Sequence, residues 1–274
     1  MRLLAALCIA CAALPAQTLT CDLSAYHAAD GLRAVVAGNA LDVDWRGEHD
    51  TALRARFALR DGTPVILELA AQGKVLARDL SPEFEITSGK RRMSRQQIEP
   101  LRALGIALTP ELIAREKWNA FWDAPLVVPG TPGRNLDLPR TTQEIRRARA
   151  EYHASGCTVR TDGARLEITF PGLSAGIFAG DLRFTVYRGA SLLREEAVAK
   201  TDEPDVAYKY DAGLTGFALT GASQVRWKDE AGTWQRYQFG GAPNVDRVAL
   251  RARGRVAEVE TGSGTLAVFP APHR

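Results

Sequence analysis

Histidine is scarce in this chain: four in 274 residues. His27, His49, His153 and His273 form no HExxH or HxH spacing, and a zinc site needs about three or four converging ligands. No metal is therefore expected, and the one local cluster, Glu48-His49-Asp50, reads as a polar turn between strands. A G-x-S-x-G elbow, a GxGxxG fingerprint and a Walker loop are also missing, so neither an elbow hydrolase nor a nucleotide cofactor is indicated. Gly172, Gly176 and Gly180 are spaced by four and read as turns joining strands. An excess of one charge is lacking too. Removing Arg2 with the leader described below leaves 34 basic side chains against 32 acidic ones, scattered along the chain, so no nucleic-acid partner is expected. Beyond the leader no uncharged apolar run approaches the roughly 20 residues that span a bilayer, so no membrane partner is expected after processing.

The N-terminus carries Met1-Arg2, an apolar run from Leu3 to Ala13, and a small-residue exit at Leu14-Pro15-Ala16. This is the pattern of a signal peptide over residues 1–16, and it predicts a secreted or periplasmic protein. Cys8 and Cys11 would leave with it. The two remaining cysteines, Cys21 and Cys157, are then candidates for one disulfide in an oxidising compartment, with two separate buried thiols as the alternative.

Period-two alternation dominates the first part of the mature chain. Leu41, Val43 and Trp45 alternate with Asp42, Asp44 and Arg46, and Phe57 and Leu59 lie in a run interleaved with arginines. Each such run predicts a strand with one face on a core and one in water. Asp61-Gly62 between two runs predicts a tight hairpin. Residues 17–93 thus read as an N-terminal meander. Residues 94–155 read as a helical segment with a Pro/Gly-rich connector. Three helices are predicted there: one after the Ser94/Gln97 capping pattern and stopped at Gly105, one starting at Thr109-Pro110, and one capped by Thr141 and Glu144 and running through Arg146, Arg147 and Arg149 to Tyr152. From 156 to 274 short strands return. The fold class predicted is mainly β: an antiparallel β-sandwich or supersandwich with about three helices between the meander and a larger C-terminal sheet.

Two segments hold candidate binding residues. Residues 187–211 place Arg194, Glu196, Tyr208 and Tyr210 on adjacent strands, where charged groups could hold a sugar by hydrogen bonds while a tyrosine ring covers its apolar face. Lys117 to Asp123 holds Trp118, Phe121 and Trp122, either a stacking platform or the anchor docking a helix on a sheet. A charged solvent face over a tyrosine-lined core is the plainer reading of the first segment.

EKWNAFWDAPLVVPG (Glu116 to Gly130) and LRFTVYRGASLLREEAVAKTDEPDVAYKYDAGL (Leu182 to Leu214) resemble the front half of a group of large uncharacterised secreted bacterial proteins. There a β-rich region similar to galactose-mutarotase-like supersandwiches precedes further domains. The resemblance implies a downstream domain of the same polypeptide, in keeping with the abrupt end after Phe269, so that the C-terminal sandwich would be truncated. The function expected is a non-catalytic or accessory sandwich that binds carbohydrate, the reading leaning away from an enzyme. The alternatives are a polysaccharide lyase or mutarotase/epimerase-like enzyme using Arg194 and Glu196 with Tyr208 or Tyr210, and a structural spacer for a missing catalytic domain.

Overall fold

The computed structural model describes residues 18–91, 93, 95–117, 145–218, 223–238 and 251–271. The predicted signal peptide, Trp118, Trp122 and the cap of the third predicted helix lie outside them.

The alternating runs are strands. The first half of the chain forms β1 (Cys21–Ala25), β2 (Leu32–Ala37), β3 (Ala40–Arg46), β4 (Ala52–Arg60), β5 (Thr63–Ala71) and β6 (Lys74–Lys90). Asp61 and Gly62 close the β4–β5 hairpin with φ of 50° and 79°, the two positive values that a tight two-residue turn needs. Two helices follow, α1 (Arg95–Ala103) and α2 (Pro110–Glu116). Thr109 caps α2 by accepting a hydrogen bond from the Leu112 amide, with Pro110 in the first turn where its missing N–H costs nothing. At the end of α1 the amides of Gly105 and Ile106 return to the carbonyls of Arg102 and Leu101, with Gly105 in the left-handed region that glycine permits.

The third predicted helix is overturned where it is described. Residues Ile145–Arg149 form β7 and Glu151–Tyr152 form β8. Helical spacing of the arginines gives way to cross-strand pairing, because β7 lies antiparallel to β6 and sets Arg149 beside Glu83 and Glu85. Arg146 reaches Glu203 through both terminal amino groups.

The remaining strands are β9 (Cys157–Asp162), β10 (Arg165–Ala175), β11 (Phe178–Tyr187), β12 (Leu193–Lys200), β13 (Val206–Thr215), β14 (Gln224–Lys228), β15 (Trp234–Gln238), β16 (Ala257–Thr261) and β17 (Gly264–Val268). Among the described residues the strands build three sheets. The first has the order β1-β9-β10-β11-β12, with β8 also on β10; the second has the order β13-β6-β5-β4-β3-β2, with β7 also on β6; the third is β15-β14-β16-β17. Among the described residues pairing is antiparallel except for β1 with β9, which is parallel.

The first two sheets face each other as a sandwich, and they exchange strands. β1 crosses from the N-terminal region into the first sheet, and β13 from the C-terminal region into the second. The core between them is continuous, with Phe57 of β4 packed on Phe184 of β11 at 4.9 Å and on Phe170 of β10 at 6.3 Å between ring centres. Leu41, Val43, Ile66, Leu80, Leu166, Ile168 and Leu182 complete its dry interior. Each such side chain contributes about 1.5 to 3 kcal/mol on burial. The outer face of the second sheet is a ladder of ion pairs, Arg54 to Asp44 at 2.7 Å, Arg56 to Asp42 at 3.0 Å and Arg78 to Glu68 at 2.8 Å. Exposed pairs of this kind add at most about 1 kcal/mol each and chiefly keep the face wet.

Candidate functional site

Cys21 and Cys157 are bonded. They are directly opposed in the β1–β9 register, with Cα atoms 4.4 Å apart, and so tie the start of the described chain to the first sheet.

Arg194 and Glu196 stand on β12, the edge strand of the first sheet, on its outer face, and form an ion pair of 2.5 Å. A hydrogen bond to Tyr187, with the Glu196 charge behind it, holds the Arg194 guanidinium above its usual pKa. Tyr208 and Tyr210 lie on β13, in the other sheet, half-exposed, and Tyr208 packs edge-on against Phe178 at 5.4 Å. Phe178 begins β11, beside the Ala179–Lys200 pairing at the far end of β12 from Arg194. Six residues of strand, about 20 Å at 3.3 Å each, therefore separate Arg194 from the place where Tyr208 packs. The fold brings the arginine to the glutamate and one tyrosine to a phenylalanine; it does not gather the four around one ligand.

A different surface does combine an exposed aromatic ring with fixed polar groups. The third sheet hangs from the β5–β6 hairpin: the Thr261 hydroxyl donates to the Leu76 carbonyl at 3.0 Å, and Val259 and Leu266 face inward, Val259 buried and Leu266 packed on the main core. Gly264 meets the Leu76 side chain so closely that a Cβ there would sit 2.6 Å from it. Strand alternation then sends the other face outward. Pairing of Lys228 with Trp234, Arg226 with Arg236, Gln224 with Gln238, and Arg226 with Glu258 puts these side chains on that one face.

On it the Trp234 indole is 47% exposed, with the Arg226 guanidinium 4.7 Å and the Lys228 ammonium 5.1 Å from the ring centre. Arg226 is itself fixed by carboxylates, with its Nε 2.6 Å from Glu258 and Nη1 on Glu260, and Gln224 donates to Glu260 as well. The result is a half-bare indole steadied by two cations and bordered by carboxylates and amides. Such a ring offers an apolar face to C–H groups while its neighbours can donate to and accept from hydroxyls.

A buried carboxyl lies elsewhere. Glu195 of β12 is paired with Phe184 and so points into the sandwich, where burial pushes its pKa up to about 8. One of its oxygens meets no hydrogen-bond donor. Tyr152, also buried, donates to the Pro82 carbonyl at 3.4 Å, and burial, with the charges of Glu195 and Glu83, raises its phenol above the usual value. Among the described residues no group of three or more histidine, cysteine or acidic side chains is placed to hold a metal ion, and no helix is long and apolar enough to cross a membrane.

The third-sheet platform was not among the residues picked from sequence, although a signal for it is there. In Trp234-Gln235-Arg236-Tyr237-Gln238 the tryptophan shares the parity of an arginine and a glutamine, which places a large apolar ring on a polar face. Comparison with protein-family models and with curated proteins finds no match, so the case for function stands on this chain's own geometry.

Proposed function

We propose that this protein is a secreted, non-catalytic β-sandwich that binds carbohydrate through the outer face of its third sheet. The observation that carries the reading is Trp234, a half-exposed indole on an otherwise charged, hydrogen-bonded strand face. Leaving so large an apolar ring in water is unfavourable in the free protein, and a sugar ring laid on it would remove that surface from solvent. The side chains of Arg236 and Lys228 make no hydrogen bond or ion pair to a described residue, which leaves their donors for hydroxyl oxygens, and Glu258 and Glu260 supply acceptors. Export is supported by the Cys21–Cys157 disulfide, which persists in oxidising compartments. The enzymatic alternative needs Arg194 and a tyrosine at one reacting carbon, and the spacing between β12 and the Tyr208 contact speaks against it.

Affinity electrophoresis in gels containing neutral polysaccharides tests the proposal. Retardation of the native protein is expected on at least one of them, with a loss of tenfold or more in affinity, about 1.4 kcal/mol, for Trp234→Ala. Equal retardation of the two proteins, or none on any polysaccharide, would count against the platform.

A further inference from the structure

The outer face of the first sheet carries two cations on one buried acid. Glu167 of β10 is 5% exposed. Arg160, directly opposite on β9, brings its Nε to Glu167 Oε1 at 2.9 Å; Arg183, on the other neighbouring strand β11, brings its Nε to the same oxygen at 3.5 Å. Arg183 Nε is buried and finds no acceptor in hydrogen-bond geometry. Arg160 is thus hydrogen-bonded at its inner edge and Arg183 is drawn to the same oxygen by charge, and no described residue takes the terminal amino groups of either. On β12 Arg194 and Glu196 form a neutral pair that closes this side of the patch.

We propose that the terminal amino groups of Arg160 and Arg183 hold a monoanionic oxyanion carried by a sugar, either the carboxylate of a uronate or a sulfate ester. Two guanidiniums share one carboxylate, and Asp181, the next residue on the same face of β11, forms no ion pair with Arg183, so the trio carries a single positive charge, which suits a single negative charge. Guanidinium donors are spaced for the paired oxygens of such a group. Because Glu167 already fixes Arg160 and holds the buried Nε of Arg183 beside it, the ligand would have less to order, and that lowers the cost of binding. The sugar carrier rests on the saccharide reading above; the charge and geometry of the patch do not.

Isothermal titration with tetragalacturonate, its full methyl ester and a κ-carrageenan tetrasaccharide tests this. The native protein is expected to bind at least one acidic probe, and to bind the methyl ester at least tenfold more weakly than tetragalacturonate if the group is a carboxylate. Arg160→Gln/Arg183→Gln should lose tenfold or more, while Arg33→Gln, an arginine on the outer face of the second sheet, should not. The half-exposed Arg160 replaced alone guards against a folding defect, with matched unfolding midpoints as the check and an intermediate loss expected. Binding of tetragalacturonate and its ester with equal strength, affinity for an acidic probe indifferent to both arginines, or no binding of either acidic probe would overturn the proposal. Neutral polysaccharides report on the Trp234 platform separately, so each reading can fail by itself.

Discussion

Glu195 is the residue whose environment departs furthest from what its type prefers. On the inner face of β12 it keeps its proton to about pH 8, whereas the unfolded chain releases it near 4.5. Between those values the folded state holds one more proton than the unfolded state, so stability falls as pH rises from about 4.5 to about 8 and has no further dependence on this group above that. Glu195→Gln should flatten the profile and exceed the native protein at pH 8 to 9 by on the order of a few kcal/mol, as read from urea midpoints. At the other extreme stands Phe184, fully buried against Phe57 and Phe170. Phe184→Ala should cost about 3 to 5 kcal/mol in the same measurement. Phe184 was legible as a core residue from its parity with Leu182 and Val186. Glu195 was not, because it sits in a run of charged residues, Arg194-Glu195-Glu196, whose alternation alone does not say that β12 turns one acid toward a core.

At the scale of the element, hairpins were the easiest features to read and partners the hardest. Asp61-Gly62 names its own turn, and Thr109-Pro110 names its own helix start, since both depend on residues next to them. Arginines at 146, 147 and 149 suit a helix face equally well, and only the pairing of β7 with β6, with Arg149 beside Glu83 and Glu85 and Arg146 on Glu203, shows the strand. β6 itself is continuous for 17 residues and changes partners midway, pairing with β5 up to Leu80 and with β13 and β7 beyond. Gly216, just past β13, touches that bend: φ is 99°, and a Cβ would come within 2.3 Å of the Asp79 carbonyl oxygen. Gly216→Ala should therefore destabilise by more than about 1 kcal/mol, visible as a lower melting temperature. The Cys21–Cys157 bond does the corresponding work for β1. Reduction, or a Cys21→Ser/Cys157→Ser variant, should cost about 2 to 5 kcal/mol, measured by denaturant unfolding with and without dithiothreitol.

The whole molecule is a two-sheet sandwich whose sheets each borrow a strand from the other end of the chain, with a third sheet attached at the β5–β6 hairpin. The strand-rich class follows from period-two patterning. The exchange of β1 and β13 does not, because alternation fixes which side chains share a face and says nothing about which strands become neighbours. The same gap explains the displaced site. Arg194, Glu196, Tyr208 and Tyr210 are close in sequence, yet β12 and β13 belong to different sheets, while Trp234, Arg226 and Glu258 are gathered from three separate strands. Amide hydrogen exchange with and without a bound polysaccharide fragment tests the platform most directly. Slower exchange over β14, β15 and β16, lost in Trp234→Ala, is the predicted result; protection confined to the two sandwich sheets, with the third sheet unchanged, would contradict it.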